Sequence, residues 1–252
     1  MPRYLLHLAY DGTCYCGWQK QPDKVTIQGV IEKALETVTQ EYISLYASGR
    51  TDSGVHASEQ FAHFDTHIPV EEIRLAARLQ KILPDDIKIN GIRAVPDLFH
   101  ARFDAQWRQY RYQVLLSPDP FLRLFAWYPG DGMDFEVLNQ GINVLEGEHD
   151  FSGFTRKASD MPHCRCTIHK AIMEHSSPNM MVIRIRANRF MRSMMRALVG
   201  GLISIASGKK NLAWFKNHLE NGRDLNNIPL APGSGLFLEK VFYPGSILDL
   251  TS

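Results

Sequence analysis

The chain has 252 residues, of which 44% are hydrophobic, and this is enough for a sizeable core in one large domain or two small ones. The composition excludes a disordered or collagen-like chain, and no apolar run approaches the roughly 20 residues of a membrane span. The N-terminus lacks the long apolar region of a signal peptide, so we expect a soluble cytoplasmic protein with no membrane partner.

The formal net charge of +1 hides an uneven distribution of charge along the chain. Residues 151–210 contain 11 Lys and Arg against 2 Asp and Glu, whereas residues 1–150 carry a formal charge of −7. A concentration of positive charge in one segment is expected for a partner that is a polyanion.

Hydrophobic periodicity predicts the same order of elements twice along the chain. The first set has strands at 4–10, 42–48, 59–66 and 86–95, and helices at 26–40, with Thr26 as N-cap, and 70–83. The second set has strands at 107–116, 167–175, 180–187 and 235–243, and helices at 135–146, 189–207 and 212–221. Apart from the shorter helix at 212–221, each set reads β-α-β-β-α-β, so we predict an α+β fold of two ferredoxin-like halves, with domains at 1–104 and 105–252.

The loop GRTDSGV holds one acid, Asp52, between two glycines and two residues after Arg50. Glycines let a backbone turn sharply or approach a ligand closely, and a nearby guanidinium would orient a carboxylate. A fixed carboxylate suits catalysis at a sugar carbon, but the loop lacks the second acid that glycosidases use. The alternative is an ordinary turn with a solvated acid, which the composition of the loop alone favours.

The strand WRQYRYQV would place Arg108, Tyr110 and Tyr112 on one face. Arginine and tyrosine interleaved on a sheet are typical of proteins that stack on unpaired bases and bind phosphates. The alternative is a half-buried strand whose aromatic residues point into the core.

The segment VIRIRANRFMRSMMRALVG contains five arginines and no acid. In the predicted helix, Arg189, Arg192 and Arg196 would share one face, where like charges cost stability unless an anion meets them. The alternative is a solvated basic face that pairs with acids elsewhere.

The four cysteines form two Cys-x-Cys pairs, Cys14/Cys16 and Cys164/Cys166. Zinc sites usually separate their cysteines by two to four residues, so free thiols are favoured over zinc and we predict no metal.

The blocks YDGTCYCGWQKQ, ASGRTDSGVHA, FHARFDAQWRQYRYQV and ANRFMRSMMRALVG together resemble the TruA family of tRNA pseudouridine synthases, and the resemblance covers nearly the whole chain. It implies a pseudouridine-synthase fold with a central basic cleft, and a homodimer that binds tRNA. It also implies the isomerisation of uridine to pseudouridine at positions 38, 39 and 40 of the anticodon stem-loop, without a cofactor.

By the same resemblance, Asp52 is the catalytic nucleophile, Tyr110 contacts the target uracil and Arg196 lies near the aspartate. Arg50, Arg189 and Arg192 would contact the RNA backbone or set the electrostatics of the cleft. The sequence leaves open whether Asp52 attacks C1′ or supports the loss of a sugar proton. A catalytically idle RNA-binding protein, such as a tRNA chaperone, is the alternative to an enzyme.

Overall fold

The computed structural model describes residues 1–155, 163–221 and 228–245. The strands are β1 (Arg3–Tyr10), β2 (Tyr46–Ala47), β3 (His56–Asp65), β4 (Ile87–Val95), β5 (Trp107–Leu115), β6 (Gly147–Asp150), β7 (Arg165–Ser177), β8 (Met180–Ala187) and β9 (Leu236–Phe242). The helices are α1 (Ile27–Thr39), α2 (Glu72–Ile82), α3 (Phe135–Asn143), α4 (Met194–Ala206) and α5 (Leu212–Asn221), with short 3-10 turns at Phe151–Phe154 and Gly233–Gly235. These elements confirm the predicted α+β class.

The chain divides into two compact units, Met1–Trp107 with the chain end from Leu238, and Arg108–Phe237. The predicted domain bounds, 1–104 and 105–252, stay a prediction. Most of β9 belongs to the first unit because it lies beside β3. The division into two ferredoxin-like halves stays a prediction.

In the first unit the strand order is β4-β1-β3-β9, with β2 also paired to β3. The strand β1 runs antiparallel to both β3 and β4. The predicted N-cap of α1 is confirmed, because the Thr26 hydroxyl accepts a hydrogen bond from the Gly29 N–H at 3.3 Å. The helix α2 ends at Ile82, and Leu83 is extended, as expected for a residue before proline.

Three side chains of this unit hold residues 96–105 in place by hydrogen bonds. The Arg3 guanidinium donates to the Phe99 carbonyl at 2.7 Å, and the Tyr243 hydroxyl donates to the Ala101 carbonyl at 2.6 Å. The Ala101 N–H donates to Nδ1 of His63 at 3.1 Å, so that ring nitrogen is an acceptor. The segment after β4 is therefore held in place by hydrogen bonds to its backbone.

In the second unit the strand order is β5-β8-β7-β6, and each neighbouring pair is antiparallel. The helices α3, α4 and α5 pack on one another. Every residue of α4 is buried except Arg196, so this helix forms part of the core of the unit. A side chain at Gly200 would place its Cβ 1.7 Å from the Pro229 carbonyl oxygen, so only glycine lets the backbones approach there.

The ring of His63 is only 2% exposed, and it stacks on Tyr46 with ring centroids 5.1 Å apart. Burial, together with the nearby charges of His100 and Arg3, lowers the pKa of His63 to about 4. The native protein therefore holds His63 neutral at mildly acidic pH.

We predict that His63→Gln reduces the loss of stability on acidification. The unfolded chain protonates His63 near its ordinary pKa of 6.5, and the native chain does so only near 4, so the wild type loses unfolding free energy as pH falls between these values. Chemical denaturation at pH 7 and pH 5 should show a loss smaller by about 1–2 kcal/mol in the variant. The same change at the exposed His169 is the control, and an equal pH dependence in His63→Gln and wild type would contradict this assignment.

Candidate active site

The loop of residues 49–55 leads into β3 in the first unit and carries Asp52, whose side chain is half-buried. The Val55 N–H donates to the Asp52 carbonyl at 3.2 Å, which closes a tight turn directly after the acid. Gly54 lies in this turn with φ of 71°, a conformation that glycine adopts without strain. The turn therefore fixes the backbone at Asp52 while the side chain stays partly accessible.

Residues 11–18 lie against this loop and bond to it through backbone groups. The Trp18 N–H donates to the Thr51 carbonyl at 3.0 Å, and the Gly54 N–H donates to the Tyr15 carbonyl at 3.3 Å. These bonds hold the loop on both sides of Asp52.

Two glycines make this close approach possible. A Cβ at Gly12 would lie 2.0 Å from the Val55 carbonyl oxygen, and one at Gly17 would lie 2.6 Å from the Thr51 carbonyl oxygen. Gly17 also has φ of 84°, so any other residue would be strained there even with space available. The segment YDGTCYCGW thus needs its glycines in order to contact the Asp52 loop.

His56 is buried at the start of β3, and its Nδ1 lies near two groups. The Gly12 N–H donates to Nδ1 at 3.1 Å, and a carboxylate oxygen of Asp11 lies 3.0 Å from the same nitrogen. Nδ1 cannot accept from Gly12 and donate to Asp11 at once, so the contact used depends on the proton it carries. Either contact ties the end of the Asp52 loop to residues 11–12.

Arg50 precedes Asp52 by two residues, and its side chain is exposed. The predicted pairing of its guanidinium with Asp52 stays a prediction.

In the second unit, β5 alternates as predicted. Arg108, Tyr110 and Tyr112 are buried, whereas the residues between them are half-buried. The Tyr110 ring is 8% exposed and meets the edge of Phe190, with ring centroids 4.8 Å apart. The Tyr112 hydroxyl donates to the Pro232 carbonyl at 2.8 Å, so the two tyrosines have different surroundings.

Arg196 lies in the first turn of α4 and is half-buried. Its Nε donates to the Ala231 carbonyl at 2.7 Å, while the Ala231 N–H donates to the Arg196 carbonyl at 3.0 Å. These two hydrogen bonds hold the backbone and the Nε of Arg196 against the backbone of Ala231.

The predicted arginine-rich helix is wrong at its start. The helix α4 begins at Met194, because Ser193 takes a left-handed conformation with φ of 60° and interrupts any helix before it. Arg189 and Arg192 therefore lie in the segment between β8 and α4, and they do not share a helix face with Arg196. Arg189 approaches His163 at 3.5 Å, and the Arg192 carbonyl accepts from the Thr155 hydroxyl at 3.0 Å.

The sheet register places basic residues side by side, which sequence spacing alone did not reveal. Arg111 of β5 pairs with Arg184 of β8, and Arg186 pairs with Lys170 of β7. Like charges directly opposite one another are unfavourable in a sheet. Arg184 forms an ion pair with Glu174, and the Arg111 guanidinium lies 4.2 Å from the centre of the Phe237 ring. The second unit therefore carries a basic row across β5, β8 and β7.

The cysteines are free thiols, and Cys164 and Cys166 are both buried. Burial raises the pKa of the Cys166 thiol to about 12, so this thiol is protonated at neutral pH. Within residues 1–155, 163–221 and 228–245, no group of three or more His, Cys, Asp or Glu side chains is arranged to bind a metal ion.

The sequence was compared with protein families and with named proteins. Residues 7–104 and 142–244 match the family described as tRNA pseudouridine synthase. The chain belongs to the tRNA pseudouridine synthase family. The matched ranges include Arg50, Asp52 and Arg196, whereas Tyr110 lies between them.

Individual relatives match almost from end to end. A protein of Chlorobaculum tepidum named tRNA pseudouridine synthase A is 42% identical over 239 residues, covering 94% of this chain and 96% of the relative. A protein of the same name from Bacteroides thetaiotaomicron is 37% identical over 251 residues, covering 99% of this chain and 93% of the relative. A third, from a Picosynechococcus species, is 38% identical over 245 residues, covering 96% and 89%.

Membership of the tRNA pseudouridine synthase family makes this chain an isomerase of uridine in tRNA. None of its helices, within the ranges described, combines the length and the apolar character that crossing a membrane requires.

Proposed function

We propose that this tRNA pseudouridine synthase isomerises uridines 38, 39 and 40 of the anticodon stem-loop, with Asp52 as its one catalytic carboxylate and with no cofactor. The proposal rests on the way in which the loop 49–55 is held. Backbone hydrogen bonds to residues 11–18 fix its main chain, and the Asp52 side chain remains partly accessible. An ordinary surface turn does not require such support on both sides.

The reaction needs little more than a positioned acid. The C1′–N1 bond of uridine breaks, the uracil turns, and C1′ bonds to C5, while C5 loses a proton and N1 gains one. One carboxylate can assist at the sugar, either by attack on C1′ or by supporting the loss of a sugar proton. Because the base returns to the same sugar, the balance includes no oxidant, reductant or hydrolytic water.

The target base must leave its stack before the carboxylate can reach the sugar. In this proposal the face of Tyr110 contacts the uracil, and Arg196 and Arg50 bind the nucleotide. The contact between Tyr110 and Phe190 supports this role, because it holds the tyrosine ring in one orientation. The hydrogen bonds between Arg196 and Ala231 likewise hold the base of the guanidinium.

Arg189 and Arg192 bind RNA phosphates in this proposal. Residues 151–210 carry a formal charge of +9, which includes Arg184 and Arg186 of β8. Cations of this density favour a polyanion at modest ionic strength. A homodimer and a cytoplasmic location stay predictions beside this proposal.

We predict that Asp52→Asn abolishes the release of tritium from tRNA that carries tritium at uridine C5. Isomerisation replaces the C5–H bond, and loss of the carboxylate should slow it by more than about 10³-fold. The exposed Asp85→Asn is the matched control and should retain the wild-type rate. If the wild type binds tRNA but releases no tritium, the protein is instead a catalytically idle RNA-binding protein. If Asp52→Asn releases tritium at the wild-type rate, Asp52 is not the catalytic acid.

We also predict that Arg189→Ala weakens tRNA binding and flattens its dependence on salt. Each phosphate contact contributes about 0.7–0.9 units to the slope of log K against log salt concentration. Filter binding at several salt concentrations should show a slope reduced by about one such contact. Arg74→Ala, an exposed arginine on α2, is the control, and an unchanged slope in Arg189→Ala would place Arg189 outside the RNA footprint.

A further inference from the structure

A buried glutamine, Gln60, forms a hydrogen bond to the first residue of the Asp52 loop, Gly49. Gln60 of β3 is 0% exposed, and its carboxamide is fully bonded. Its Nε2 donates to the Gly49 carbonyl at 2.9 Å and approaches the Tyr10 hydroxyl at 3.5 Å. Its Oε1 accepts from the Ser48 hydroxyl at 2.5 Å. A buried amide with all its partners fixes the groups around it, because losing any one of them leaves a polar atom unsatisfied.

The Tyr10 hydroxyl continues this network into the loop. It lies 2.8 Å from Oγ1 of Thr51, the residue immediately before Asp52. Burial raises the pKa of Tyr10 to about 12, so the hydroxyl keeps its proton at neutral pH. Nε2 of Gln60 can only donate, so the Tyr10 oxygen accepts in that contact, and either hydroxyl can donate in the hydrogen bond between Tyr10 and Thr51.

Thr51 is therefore held at two atoms. Its hydroxyl forms a hydrogen bond with the Tyr10 hydroxyl, and its carbonyl accepts from the Trp18 N–H at 3.0 Å. Thr51 itself is only 7% exposed, and its position sets the start of the Asp52 main chain. A small rotation at Thr51 would redirect the carboxylate of the next residue.

We propose that Tyr10 is a positioning residue for catalysis: oriented by Gln60, it fixes Thr51 through one buried hydrogen bond and so aims Asp52. The inference rests on the proposed role of Asp52 as the catalytic acid. Misplacement of a reacting group by about 1 Å can cost about 10²-fold in rate. The bond therefore acts on the chemical step and leaves the affinity for tRNA unchanged.

The test removes this one bond from either side, in the full-length protein. Tyr10→Phe and Thr51→Val should each lower the single-turnover rate of pseudouridine formation at saturating tRNA by about 10–100-fold, with the Kd for tRNA within about twofold. The rate of the double variant should lie within about twofold of the rate of the slower single variant, because both changes break the same bond. Thr51→Ser keeps the hydroxyl and should restore most of the rate that Thr51→Val loses.

Tyr4→Phe is the matched control. Tyr4 lies on the same strand, is also buried, and its hydroxyl accepts a hydrogen bond from the Val70 N–H at 3.1 Å, outside the Asp52 loop. The change should lower thermal stability without lowering the single-turnover rate. Equal rate losses in Tyr4→Phe and Tyr10→Phe would show that general loosening of the unit is responsible, which would overturn the inference.

Other outcomes separate this inference from the proposed function. If Asp52→Asn is inactive and Tyr10→Phe keeps the wild-type rate, the positioning role is wrong and the catalytic acid stands. Rate losses that add fully in the double variant would show that the hydroxyls act independently, which also contradicts it. If Asp52→Asn remains active, the proposed function itself fails.

Discussion

The backbone of residues 11–18 lies directly against the backbone of the loop that carries Asp52, and the rest of the candidate site depends on this contact. Carbonyl oxygens would meet any Cβ at Gly12 or Gly17 at 2.0 and 2.6 Å, so side chains are excluded from the contact. The hydrogen bonds that replace them join main-chain groups on both sides of Asp52. The acid is thereby tied to the sheet of its own unit, and it does not depend on a solvent-exposed turn for its position.

This arrangement suits an isomerase that acts with few groups. Fixing a reacting group before the reaction removes entropy from the barrier, which would favour catalysis by the one carboxylate proposed, Asp52. The buried bonds of Gln60 and Tyr10 add support from beneath the loop. Among the residues proposed to bind the uridine and the phosphates, Arg50 lies in the first unit. Tyr110 on β5, Arg196 on α4, and Arg189 and Arg192 between β8 and α4 lie in the second.

Much of the fold could be predicted from periodicity, whereas parts of the site could not. The start of α1 and the end of α2 are marked by Thr26 and Pro84, which act locally. The strand β6 has no apolar alternation, and the left-handed Ser193 leaves no mark in the spacing of the arginines around it. The pairing of Arg111 with Arg184 depends on strand register, and the contacts of Gln60 depend on tertiary packing, so neither is visible in sequence spacing.

The central claim is that the Asp52 loop is already built before RNA binds. Native-state hydrogen exchange of the free protein tests it most directly, at the amides of Trp18 and Gly54 that bond across the contact. These amides should be protected nearly as strongly as the paired amides of β1, and adding tRNA should change their exchange little. Fast exchange at both amides in the free protein, slowed only when tRNA is bound, would show that RNA organises the loop and would contradict the account.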